Sequence, residues 1–318
     1  MTRSGRRDFC RTFLGGAAGL ALASKVVNAV PQSGSSPISV TKITDTFSLI
    51  RGAGSNVLLL NGPDGALMVN SGTAERSAEL LKVVADQTGA KPVRFLFNTD
   101  WHLENTGSND TLGKAGATII AHENTRLWMT TEFHVQWQNK TYKPRAKEAL
   151  PNKTFFATET ITFAQQTEKM TFGGEEIHYG YLGQAHTDGD IYVFFPKPNV
   201  LVIGGIVSKN EWPLIDWWTG GWIGGLATAL ETLSKIADAQ TRIVTATGPI
   251  LTRADLQAQQ EMYRTINTRL QQLIRKGKSP DEAIAAEPTK EFNDKMGRPE
   301  TFIRLAFQSL WGQLSPDA

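Results

Sequence analysis

The sequence predicts a layered α/β protein, and three observations carry that expectation. Strand-like and helix-like segments alternate between residues 56 and 123, closely spaced apolar segments over 160–202 read as a strand meander, and helical periodicity returns after residue 225. A chain of 318 residues with 40% hydrophobic content can bury a large core, which excludes a disordered chain.

The N-terminus, MTRSGRRDFCRTFLGGAAGLALAS, places Arg6 and Arg7 ahead of an apolar run over residues 13–23. That run is too short to span a bilayer comfortably and reads as an export signal. Paired arginines before Phe9 fit the twin-arginine pattern, which predicts a folded bacterial export substrate, periplasmic or secreted. Cleavage is expected after Ala29, with Ala23 as the other small-residue site and an uncleaved anchor as the alternative. Removal of residues 1–29 takes five of 33 basic and one of 31 acidic residues, leaving a net charge of about −2. No basic stripe then argues for nucleic acid, and no stable membrane span is expected after cleavage. Cys10 leaves with the signal, so the mature chain has no disulfide and no thiolate ligand.

Residues 30–40 (VPQSGSSPISV) read as a flexible lead-in, and residues 41–318 as a single domain with a helical extension from about residue 253. NVLLLNGPDGALMVNSG (56–72) carries a hairpin signal at its NGPDG centre. Residues 74–88 show helical spacing at Leu80, Leu81 and Val84 and end at Gly89, a suitable C-cap. VRFLFN is a buried strand, residues 110–116 are expected to be helical, and ATIIAHE is the next strand. Residues 124–153 are expected to be a long irregular excursion of the kind that lies over a site. TITF, KMTF, EIHYGYL, DIYVFF and NVLVIG form the meander. Residues 225–238 are a helix, TRIVTA a strand, and 253–276 a long helix with Leu256, Met262, Ile266, Leu270 and Leu273 on one side. Ser279 caps the next helix, and FIRLAFQSLW closes the chain as another.

Four segments fall at strand ends: NTDWHLENTGSN (98–109), GQAHTDGD (183–190), LVIGGIVS (201–208) and VTATGPI (244–250). Reactive groups of layered α/β proteins sit at such ends. In order and spacing these segments resemble the turns THxHxDHxGG, GHTxGD, GD and PGHGP of the metallo-β-lactamase superfamily. The resemblance covers nearly all of the mature chain and implies a four-layer αβ/βα sandwich. It also implies a hydrolase with up to two zinc ions and a small-molecule substrate or ligand as partner.

The departures bear on the chemistry. Asp100, His102, Glu104 and Asn105 stand where the family has His, His, Asp and His. His186 agrees, the bridging aspartate falls on Gly205, and the last histidine on Thr247. A second zinc is not expected, because amide and alcohol oxygens are poor zinc ligands. Asp100, His102 and His186 supply one carboxylate and two imidazoles, a set that zinc hydrolases use with one position left open. Asp100 and Glu104 are the expected catalytic carboxylates, Glu104 as general base or water-orienting group. Asn70 replaces the Asp of the family's VDxG turn and is expected to donate to Asp100, with Asn105 and Thr247 also expected behind the ligands. The alternative is that Asp100 caps the following helix, His102 is a hydrogen-bonded loop residue, and no metal binds.

Of the remaining histidines, His122 and His178 lie within strands and read as packing residues, while His134 falls in the excursion. WPLIDWWTGGWIGG (212–225) places four tryptophans among glycines, so Trp217 and Trp218, together with Trp101, are candidates for an apolar pocket or for buried packing. No GxGxxG follows a strand, which removes the nucleotide fingerprint. The sequence therefore points to water-mediated hydrolysis of an ester, amide or lactam at a mono-zinc site. Its alternatives are a non-catalytic binding protein and a mononuclear iron oxidative enzyme, since iron oxygenases also use two histidines and a carboxylate.

Overall fold

The computed structural model describes residues 37–155 and 167–314. The expected export signal, its cleavage points and the TITF segment lie outside the described residues. Among the described residues, no helix is long and apolar enough to cross a membrane.

The first sheet begins with four antiparallel strands, β1 (Ser39–Lys42), β2 (Phe47–Arg51), β3 (Val57–Gly62) and β4 (Gly65–Val69). It continues in parallel through β5 (Val93–Phe97) and β6 (Thr118–His122). After a separate hairpin of β7 (Phe133–Val135) and β8 (Lys140–Tyr142), β9 (Lys153–Phe155) completes it. The expected NGPDG hairpin forms with Gly62 opposite Gly65. Gly65 has φ 148°, and a Cβ there would lie 2.6 Å from the Arg94 side chain and 2.8 Å from the Pro92 carbonyl oxygen, so the turn requires glycine.

The second sheet is the expected meander of β10 (Thr167–Phe172), β11 (Glu175–Tyr181), β12 (Ile191–Phe195) and β13 (Val200–Val202). A crossover then adds β14 (Arg242–Val244) parallel to β13. Every position of the VLLL run in β3 is apolar because both faces of its sheet are covered. Leu58 and Leu60 meet Ile177, Val193 and Phe195 of the second sheet, while Val57 and Leu59 pack with Leu80 and Val84.

Helices close both outer faces. Over the first sheet lie α1 (Ser77–Thr88), ended by Gly89 in the left-handed conformation, and α3 (Asn109–Lys114), reached through the one-turn α2 (Leu103–Thr106). α4 (Glu123–Thr130) follows β6. Over the second sheet, α5 (Ile223–Ile236) buries Leu226, Leu230 and Leu233 against Ile266 and Leu270 of α6 (Arg253–Arg275). α7 (Pro280–Ala285), α8 (Asn293–Met296) and α9 (Glu300–Leu314) end the fold. Thr252 with Asp255, and Ser279 with Glu282, form complete capping boxes that fix where α6 and α7 start. The arrangement is a four-layer αβ/βα sandwich.

The helix expected over 110–116 forms as α3, with the separate one-turn α2 ahead of it. Two local expectations are corrected. The lead-in ends earlier than expected, because Ser39 and Val40 already pair with Arg51 and Ile50. The excursion over 124–153 carries α4 and the β7–β8 hairpin rather than irregular chain. Phe133 and Tyr142 stack across that hairpin and meet the Trp101 ring edge-on at 5.3 and 4.9 Å, so aromatic packing orders the segment.

His122 closes β6 and caps α4, its Nδ1 accepting the Asn124 N–H at 3.2 Å while its ring stacks on Tyr181 with centroids 4.0 Å apart. Burial pulls its pKa from 6.5 down to about 4. The unfolded chain takes up a proton that the native ring resists, so stability falls as pH drops from about 6.5 toward about 4. His122→Asn retains a cap acceptor but does not titrate. Its stability relative to wild type should improve by about 2 kcal/mol between pH 7 and pH 4.5. Denaturant unfolding at the two pH values checks this; an unchanged difference would remove His122 from the acid response.

Candidate metal centre

The loops that follow β5, β11 and β13 meet at one edge of the sandwich. Residues 98–109 are held there by buried amides. Asn98 and Asn109 donate to each other at 3.2 and 2.8 Å, Asn98 also donates to the Asn105 carbonyl at 3.2 Å, and Ser71 Oγ donates to Asn109 Oδ1 at 3.0 Å. These bonds satisfy polar groups that β5 carries into the interior, and they fix the chain as it leaves the strand. Across from it, Asp190 accepts from the Thr187 N–H and hydroxyl at 2.8 and 2.9 Å and shapes the loop that carries His186. Burial and the Asp100 charge push the Asp190 carboxyl well above the usual range.

Asp100, His102 and His186 are all buried, and each offers one ligand atom within 4.8 Å of the other two. His102 Nδ1 lies 3.0 Å from His186 Nε2, with the rings nearly perpendicular at 84°. The outward nitrogens are also engaged: His102 Nε2 lies 3.1 Å from Asp216 Oδ2, and His186 Nδ1 donates to the Leu214 carbonyl at 2.7 Å. Burial lowers the His102 pKa, but the Asp216 hydrogen bond and the Glu104, Asp100 and Asp216 charges outweigh it and hold the value at about 10. Burial and the neighbouring His102 push His186 down. For Asp100 burial acts upward, yet His102, His186 and the Asn105 amide hold it below the usual carboxylate value. Glu104, with 43% of its side chain exposed, stands at the rim with Oε1 3.7 Å from His102 Nδ1.

The donors fit one cation. Two imidazoles and a carboxylate form a suitable zinc set, and ligand atoms around tetrahedral zinc stand about 3.3 Å apart, close to the spacing of the two facing nitrogens. Metal-binding histidines also carry an acceptor behind the ring, as both do here. Positions 205 and 105 bring no carboxylate or imidazole to the centre. A Cβ at Gly205 would lie 2.7 Å from His186 Nε2 and 2.9 Å from its Cδ2, so the imidazole occupies the space of a side chain at that position. Asn105 Nδ2 donates to both Asp100 oxygens at 2.9 and 2.8 Å and cannot turn away without breaking both bonds.

Several expected roles are corrected. Asn70 does not donate to Asp100: its Oδ1 accepts the Thr99 N–H and faces the Thr99 hydroxyl, each at 3.0 Å, because that buried backbone donor needs a partner. Asn105 supplies the amide to Asp100 instead. Thr247 is exposed and its hydroxyl donates to Glu211 at 3.2 Å, away from the three donors. Trp101 is 2% exposed; it meets the edge of His102 with centroids 4.5 Å apart and donates from Nε1 to Thr219 Oγ1 at 3.1 Å, so it supports the centre from within rather than lining a pocket. Trp217 and Trp218 are half-buried and meet edge-to-face at 5.3 Å, with Trp217 packed on the helical core.

Sequence reasoning missed Asp216 and Thr99, whose partners are distant or backbone groups. The lone acidic residue in WPLIDWWTGGW was the available signal for Asp216. The helix-cap alternative is met in part, since Asp100 Oδ1 accepts the His102 N–H at 2.9 Å at the entry to α2.

The chain is thus a four-layer sandwich with histidine and carboxylate donors gathered at its strand ends. The model of the metallo-beta-lactamase superfamily matches residues 50–252, more than half of the 318, and the chain belongs to that superfamily. A metallo-beta-lactamase from Pontibacter korlensis is similar with TM-score 0.56 and 18% identity, over 71% of this chain and 99% of that one. The stereoselective inverting sec-alkylsulfatase Pisa1 from Pseudomonas sp. is similar with TM-score 0.64 and 17% identity, over 85% of this chain. The match spans 50% of the sulfatase's length. At these identities the likeness is one of fold.

Gly205→Ala should force the His186 ring off one of its two hydrogen bonds and destabilise the protein by about 1–3 kcal/mol. In a His186→Ala background the same substitution should be nearly neutral. Urea unfolding of the four proteins tests this, and an equal penalty in both backgrounds would show that Gly205 does not act through His186.

Proposed function

We propose that this protein is an exported metal-dependent hydrolase acting at a single-zinc centre held by Asp100, His102 and His186, on an ester, amide or lactam. The observation that carries the reading is the convergence of three buried donors whose outward nitrogens both meet acceptors. Zinc bound there would polarise the scissile carbonyl and lower the pKa of water. The chain's own groups do the rest. Asp100, kept anionic and held by Asn105, fixes the centre on the β5 side. His102 Nδ1 and His186 Nε2 would supply the other two ligands. Glu104, at the solvent edge and 3.7 Å from His102 Nδ1, is positioned to accept a proton from water and pass it to the leaving group. Sulfate esters join the candidate substrates because a structural neighbour is a sec-alkylsulfatase. The twin-arginine pattern ahead of the domain supports periplasmic or secreted placement.

A non-catalytic binding role is the second reading, favoured by one observation. The donors can satisfy one another: Asp100 accepts from His102 N–H and the Asn105 amide, and the two imidazoles face each other at hydrogen-bond distance. Metal analysis of protein purified without chelator or added metal separates the readings: about one zinc per chain supports the hydrolase, none supports the binding protein, and iron supports an oxidative enzyme. With zinc bound, turnover of a panel of carboxylic and sulfate esters, amides and lactams should be lost on chelation. Glu104→Gln should lower kcat by about 10²- to 10⁴-fold with zinc content unchanged. A Glu104→Gln protein with wild-type kcat would remove Glu104 from the chemistry.

A further inference from the structure

The tryptophan- and glycine-rich stretch after β13 brings two acceptors to the centre within three residues of chain. The Leu214 carbonyl takes the His186 Nδ1–H at 2.7 Å, and Asp216 Oδ2 faces His102 Nε2 at 3.1 Å. Resting on the single-zinc reading above, we propose that residues 214–219 are the orienting brace of the centre, with Asp216 as the positioning residue that presents His102 Nδ1 to a divalent cation.

The brace is itself braced. Thr219 Oγ1 donates to Asp216 Oδ2 at 2.7 Å and accepts from Trp101 Nε1 at 3.1 Å, so the carboxylate has one orientation. The stretch is tied by backbone bonds to the loop that carries His186. Asp216 N–H donates to the His186 carbonyl at 3.0 Å, Trp222 N–H to that of Ala185 at 2.9 Å, and Asp188 N–H to that of Thr219 at 2.8 Å. The glycines make this approach possible: a Cβ at Gly221 would lie 2.1 Å from the His186 carbonyl oxygen, and one at Gly225 would lie 1.6 Å from that of Gln184. Both imidazoles are thus oriented by one rigid unit.

The chemistry selects the ligand class. A carbonyl oxygen can only accept, so His186 carries its proton on Nδ1 and turns a lone pair on Nε2 toward the centre. A carboxylate does the same for His102, drawing the proton to Nε2 and making Nδ1 the donor to metal. Asp100 and Asp216 bring two negative charges to a buried site, and a divalent cation balances them with both imidazoles neutral.

Asp216→Asn is isosteric and removes the charge. Zinc affinity is read by competition with a chromophoric chelator on the full-length metal-free protein, beside thermal melting of the same samples. The expected result is zinc binding 10- to 100-fold weaker than wild type, with a shifted visible spectrum of the cobalt-substituted protein. Thr219→Ala leaves the carboxylate in place but frees it, and should weaken binding by about 2- to 10-fold, the worth of one hydrogen bond. This variant carries the test if Asp216→Asn does not fold. Wild-type zinc affinity in folded Asp216→Asn, or in Thr219→Ala where only that variant folds, would overturn the brace and leave the metal reading standing. Failure of the wild-type protein to bind zinc would overturn both.

Discussion

Two buried imidazoles facing each other at 3.0 Å impose the constraint around which this end of the sandwich is organised. Each ring has two nitrogens, and all four are spoken for. His186 Nδ1 must donate, because its partner is a carbonyl, and His102 Nε2 faces a carboxylate. The inner pair then has room for one positive centre between two lone pairs. A proton can fill that role, making His102 an imidazolium with its pKa held near 10, and so can a cation, which displaces the proton. The surrounding carboxylates favour positive charge in either case.

The departures from the superfamily's ligand pattern make sense as one repacked arrangement. Aspartate at position 100 is met by an amide at 105 that donates to both of its oxygens, where two imidazoles would otherwise stand. Glycine at 205 gives the His186 ring the space of a side chain. These two changes are each matched by a neighbour, while Asn70 Nδ2 and Asn105 Oδ1 stay buried without a hydrogen-bond partner among the described residues, so the pairing around the centre is partial. Thr247 fits no such pairing; its loop places it in solvent, so nothing in the centre depends on it.

What was legible in the sequence follows from how local the cause is. The capping boxes at Thr252 and Ser279, Gly89 ending α1, and the Pro63-Asp64 turn are fixed by residues within a few positions of one another. The short strand β2 was missed even though Gly52, Gly54 and Ser55 mark a turn directly after FSLIR. Asp100, His102 and His186 were found through motif spacing. The Asn70 role was misassigned because side chains were matched with side chains while the buried Thr99 N–H, which needs an acceptor, was left out of the reckoning.

Asp216 shows why the outer partners of such a centre escape a reading by motif. It lies 114 residues from His102 in the chain, in a segment with neither helical nor strand period. Its position is set by backbone pairing with the loop after β11 and by a threonine and a tryptophan that share its hydrogen bonds. Three tryptophans have packing roles in the fold: Trp101 donates to Thr219, Trp212 stacks on Phe302 at 4.4 Å, and Trp217 packs on the helical core. The glycines between them allow two backbones to touch. A stretch whose composition suggests a flexible apolar surface is therefore among the most constrained in the molecule, and that constraint is what gives the imidazoles a fixed direction.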